Sequence, residues 1–104
     1  MINHDRTAIQ VFETDGVIGK LLIKSEYCEA IKLEIQPNKT LARHLVDFAA
    51  TFFVISGEGI YLSSSQESVI FAGTIIVEHA NTERGFTNTG KNALEILVIK
   101  HLTS

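Results

Sequence analysis

The sequence predicts an all-β domain, an antiparallel sandwich or barrel, on three observations. Short apolar segments rich in Val, Ile, Phe and Thr recur along the 104 residues, and turn residues separate them. The segment "EAIKLEIQ" (29–36) alternates with period two and places Ile31, Leu33 and Ile35 on one face. Proline occurs once, at Pro37, at the start of a turn where it breaks no ladder.

Taken in order, "VIGKLLIK" (17–24) and "EAIKLEIQ" read as the first strands, and Pro37-Asn38-Lys39-Thr40 as a turn. "TFFVI" (51–55) and "IYL" (60–62) flank Ser56-Gly57-Glu58-Gly59, which reads as a hairpin loop whose glycines supply positive φ. "SSSQ" (63–66) leads into "SVIF" (68–71), and Ala72-Gly73 leads into "TIIVE" (74–78). "HANT" separates that strand from "ERGFT" (83–87), and "NTGK" (88–91) turns into the last strand, "ALEILVIK" (93–100). Asn88 is expected to fix this last turn. One stretch reads two ways: Leu41, Leu45, Phe48 and Phe52 form a helical stripe that Thr40 is placed to cap, so 41–52 alone fits helix as well as strand.

Composition narrows the function classes. The length suits one domain with a single core, 1–104, and 45% hydrophobic residues argue against disorder. Nine basic against twelve acidic residues, with no basic cluster, argue against nucleic-acid binding. No apolar run approaches the roughly 20 residues that span a bilayer, and "MINHDRTAIQ" lacks the apolar stretch of a signal peptide. Cys28 is the only cysteine, so neither an intrachain disulfide nor a cysteine-based zinc cluster can form. The expectation is a cytoplasmic, soluble protein.

The spacing of a few residues resembles the cupin family, whose fold is a jelly-roll barrel, the antiparallel double-stranded β-helix. That family's first motif has a histidine, one residue, a second histidine, three or four residues, a glutamate, six residues and a glycine. Anchored on Gly57, it falls on His44, Val46 and Ala50. The second motif has a glycine, a proline six residues on, a histidine five further and an asparagine four beyond. Anchored on Gly73, it falls on His79, Arg84 and Asn88. Pro37, His44, Gly57, Gly59, Gly73 and Asn88 keep the expected order, and the resemblance covers roughly 30–100. Under it, 41–52 becomes two strand ends joined by a short loop.

The departures matter as much as the matches. In metal-dependent cupins the three histidines and the glutamate hold a divalent ion, but Val46 and Ala50 carry no donor and Arg84 carries a permanent positive charge. One remaining imidazole, His44, does not make a metal site, so no metal and no cofactor are expected. A rearranged, dioxygenase-like metal site would have to draw on His44 and His79 with Asp47, Glu58 or Glu78.

The resemblance instead implies an inward Arg84 in a cavity lined by Val46, Ala50, Phe52 and Val54, with Tyr61 and Thr51 as further candidates. Such a cation needs a carboxylate partner or an anionic ligand, and its planar fork suits an anion held at two points. The expected function is therefore a metal-free cupin that binds a small anionic molecule through Arg84, His44, Phe52 and Tyr61. A metal-free isomerase or lyase with His44 as acid/base is the alternative. The competing structural roles are an Arg84 paired with Glu78 or Glu83, a His44 satisfied in the interior, and aromatic residues that merely pack. Homodimerisation through sheet edges is expected at the apolar segments "AIQVF" and "ALEILVIK".

Overall fold

In a computed structural model, which describes residues 1–102, the chain is almost wholly β. A single 3₁₀ turn, Asp5–Thr7, precedes ten strands: β1 (Ile9–Thr14), β2 (Val17–Lys24), β3 (Cys28–Ile35), β4 (Thr40–Val46), β5 (Ala50–Ser56), β6 (Glu58–Ser63), β7 (Glu67–Phe71), β8 (Ile75–Glu78), β9 (Thr82–Asn88) and β10 (Leu94–His101). They form two antiparallel sheets, a six-stranded one in the order β1-β2-β3-β10-β5-β8 and a four-stranded one in the order β4-β9-β6-β7. Every connection passes from one sheet to the other except β1–β2, β2–β3 and β6–β7. This back-and-forth winding is the double-stranded β-helix of a jelly roll.

Alternation along the strands builds the core. Ala50, Phe52 and Val54 of β5 and Leu94, Ile96 and Val98 of β10 point inward from the larger sheet; Tyr61, Ile70 and Phe86 face them from the smaller one. The helical stripe at 41–52 does not form a helix. β4 and β5 lie in different sheets, joined by the bend at 47–49, and Leu45 points outward with 71% of its surface exposed.

Three expectations need correction. The stretch 56–59 is not a hairpin loop, because β5 pairs with β10 and β8 whereas β6 pairs with β7 and β9. Gly57, at φ +92°, turns the chain from one sheet to the other. Gly59 is there for close approach instead, since a Cβ on it would fall 2.2 Å from the Thr87 carbonyl oxygen. Second, "ALEILVIK" offers no edge for a partner, because β10 is bonded on both sides, to β3 and β5. Third, Ile9–Phe12 of "AIQVF" begin a further strand, β1, which precedes the two expected first strands and pairs with β2 in a hairpin around Asp15-Gly16. Among the described residues no strand pairs with the edge of β1 away from β2.

Candidate functional site

Two β-bulges shape the site. Between β4 and β9 the pairs Leu41↔Phe86 and His44↔Arg84 leave one extra residue on β4. The extra residue turns Leu41, His44 and Val46 to the same inner side, although three positions separate the first two. Gly85 makes this possible: a Cβ there would lie 2.6 Å from the Leu41 carbonyl oxygen and 2.8 Å from the Arg43 nitrogen. On the opposite sheet, Gln10↔Lys20 is followed by Phe12↔Gly19, so β1 carries an extra residue and both Val11 and Phe12 turn inward.

Between these bulged strands lies a cavity of about 200 Å³. Its walls are Val11, Phe12, Gly19, Ile31 and Leu33 from β1–β3, Leu41, His44 and Val46 from β4, and Phe48, Phe52, Arg84, Phe86 and Val98. Partly exposed Val11 and Phe12 and exposed His44 mark its mouth. Phe48, Phe52 and Phe86 all border the space without filling it.

Arg84 is the one charged group in this wall and is only 3% exposed. Its Nη2 donates to the Phe48 carbonyl at 3.0 Å, the His79 carbonyl at 2.8 Å and Thr82 Oγ1 at 3.0 Å. The guanidinium carbon sits 5.5 Å from the Phe48 ring centre and 5.8 Å from that of Phe52, within cation–π range. Nε and Nη1 are buried without a hydrogen-bond partner among the described residues. None of the ion pairs among those residues involves Arg84, so it is not neutralised by Glu78 or Glu83. The expected two-point fork is altered, because both two-nitrogen edges of a guanidinium share Nη2, which is already taken; Nε and Nη1 are left as separate donors.

His44 stands directly across the ladder from Arg84. It is exposed at the mouth rather than satisfied in the interior, and its Nδ1 lies 2.9 Å from its own strand's Ala42 carbonyl. A carbonyl can only accept, so Nδ1 carries the hydrogen, and in the neutral ring Nε2 is the nitrogen with the lone pair.

Of the other predicted residues, Val46 and Phe52 line the cavity, whereas Ala50 and Val54 are buried elsewhere in the core. Tyr61 sits behind the wall, in an aromatic cluster with Phe52 and Phe86 at centroid distances of 6.0 and 5.1 Å. Its hydroxyl donates to Glu78 Oε2. Burial chiefly, then the hydrogen bond to and negative charge of Glu78, raise the phenol well above its usual 10.0, against a smaller opposing pull from Arg84. The folded state thus holds this proton where the unfolded chain has lost it, so the contribution of Tyr61 to stability is constant below pH 10 and falls as pH rises beyond it. Tyr61→Phe is expected to cost about 1.5–3 kcal/mol at neutral pH and to flatten that alkaline decline, both readable from urea unfolding at pH 7 to 11.

The residues do not fit the metal of metal-dependent cupins. At the four ligand positions stand His44, two apolar side chains (Val46 and Ala50) and a guanidinium whose Nη2 is committed to backbone carbonyls. Among the described residues no three His, Cys, Asp or Glu side chains come together. His79 supplies its carbonyl to Arg84, not its ring to a cation.

A double-stranded β-helix with an internal cavity between its sheets defines a class of barrel. The family model for the cupin domain matches residues 32–100, and the chain belongs to the cupin family. An RmlC-like cupin from Shewanella frigidimarina superposes with a TM-score of 0.83 at 12% identity, over 96% of this chain and 88% of that one. A predicted oxalate decarboxylase from Thermotoga maritima gives 0.83 at 16% identity, over 99% and 100%. The polyketide cyclase RemF from Streptomyces resistomycificus gives 0.81 at 14% identity, over 96% and 78%. Comparison with curated protein sequences finds no match. Neighbours with such different names share the fold alone, and the site must decide what this barrel does.

No helix of the described residues is long and apolar enough to cross a membrane.

Proposed function

We propose that this cupin binds a small acidic molecule in its barrel, without a resident metal, and that Arg84 holds the anion. The observation that carries this reading is a 3% exposed arginine that has no carboxylate partner and two unused donor nitrogens among the described residues, set in a cavity wall that is apolar but for His44. An isolated buried charge is costly, and an anionic ligand repays that cost with charge-assisted hydrogen bonds. The test is thermal unfolding with a panel of small carboxylic acids at low salt. Binding acids raise the midpoint of the wild-type protein by mass action, and Arg84→Gln is expected to weaken them at least tenfold. Equal shifts in both proteins would remove Arg84 from the reading.

A second reading, a metal-free isomerase or lyase, draws support from His44. Its free Nε2 stands at the cavity mouth opposite Arg84, where it can take a proton from a ligand carbon and return it. In D₂O, a bound acid is then expected to exchange its acidic C–H for deuterium. In His44→Ala that exchange stops while binding persists. A wild-type protein that exchanges nothing is a binding protein only.

A further inference from the structure

Resting on the anion-binding reading, we infer the chemical class of the ligand: a monoanion, typically a carboxylate, joined to a single small apolar body such as one aromatic ring or a branched alkyl group. Three features of the cavity fix this class.

The first is charge. Arg84 is the only permanent cation among the lining residues, and the Lys100 ammonium, which lies on the Phe48 ring at 4.3 Å from its centre, is outside that lining. A dianion such as a phosphate monoester would bring a second negative charge into an apolar space with nothing to offset it. A monocarboxylate matches the single charge of one guanidinium, and one of its oxygens can accept from one of the two unused donors, Nε or Nη1.

The second is polarity. Apart from Arg84 at its inner wall and His44 at its mouth, the cavity is bounded by Val, Ile, Leu and Phe side chains and Gly19. A sugar acid offers several hydroxyl groups, and inside this wall they would lose water without gaining partners, which is unfavourable for each one. The aromatic edges and faces of Phe48, Phe52 and Phe86 instead favour contact with a ring or branched chain.

The third is size. A closed apolar cavity of about 150 Å³ takes up benzene. The space here is about 200 Å³ and opens at Val11, Phe12 and His44, which leaves room for one ring and a carboxylate, with any longer tail emerging at the mouth.

The experiment is isothermal titration at pH 8, where phosphate is mainly the dianion, and low salt with five probes: benzoate, hexanoate, benzamide, galacturonate and inorganic phosphate. Benzoate or hexanoate is expected to bind at least tenfold more tightly than the other three. Benzamide has the shape of benzoate without its charge, so this comparison needs no variant. Galacturonate or phosphate binding as tightly as benzoate, with the binding lost in Arg84→Gln, would overturn the ligand class and leave the anion reading standing. Benzamide binding as well as benzoate would overturn both, as would no acid giving heat that depends on Arg84. Should Arg84→Gln not fold, Arg84→Lys keeps the charge but loses the separate donors, and a tenfold loss there supports the same assignment.

Discussion

Asn88→Ala is expected to destabilise the barrel by about 2–4 kcal/mol, although the residue lies outside the cavity wall. Asn88 is 1% exposed and uses both ends of its amide. Nδ2 donates to the Ile35 carbonyl at 2.8 Å and to the Asn92 carbonyl at 2.8 Å, while Oδ1 accepts from the Gly90 nitrogen at 2.8 Å. One side chain thus ties the end of β9 to the end of β3 in the other sheet and shapes the loop into β10. Alanine would take the side-chain partner from the buried Ile35 carbonyl and from the part-buried Asn92 carbonyl and Gly90 amide, and a buried orphan costs more than an average hydrogen bond contributes. Asn88→Asp should be no milder, because a carboxylate would face two carbonyl oxygens where the amide donates. Urea unfolding checks both: the midpoint should fall sharply with an unchanged slope.

Asn88 also marks how far the sequence alone could be read. Its place in a motif pattern and in a turn was legible, but its bond to Ile35 was not, because that contact spans 53 positions and depends on how the sheets stack. β3 was legible from alternation, and β2 and β10 as apolar segments set off by turn residues. The hairpin partners of the 56–59 stretch were not, since two glycines in a short loop look alike whether the chain folds back or crosses between sheets. β1 carries a local signal of its own, since Asp15-Gly16 is the dipeptide a tight hairpin favours. Without β1, Val11 and Phe12 could not be placed at the cavity mouth. Leu41 and Phe48 were visible only as part of a helical stripe, because the bulge that turns Leu41 inward breaks the period-two rule. Arg84 opposite His44 was legible as a consequence of the family spacing. Which guanidinium nitrogens remain free was not, for that depends on backbone carbonyls of the bends at 47–49 and 79–81.

Gly85→Ala is expected to damage stability and binding together, and so to test whether the β4 bulge builds the site. Gly85 lies between Arg84 and Phe86 on β9, and the bulged backbone of β4 rests where its side chain would be, with three heavy atoms within 3.0 Å of a Cβ. None of these atoms is a flexible side chain, so the methyl group has to push the two strands apart. The cost should be about 3 kcal/mol, at the upper end of overpacking penalties. Because Leu41, His44 and Arg84 share that ladder, the displacement should also weaken benzoate binding at least tenfold. Gly73→Ala is the control. Gly73 has φ +94° but nothing within 4 Å of a Cβ, so alanine there meets only backbone strain, about 1–2 kcal/mol. It lies outside the cavity wall, and binding should be untouched. Denaturant unfolding and benzoate titration on the two variants separate the cases. If Gly85→Ala unfolds no more easily than Gly73→Ala and binds benzoate as the wild type does, the bulge is not what holds Leu41 and His44 against Arg84.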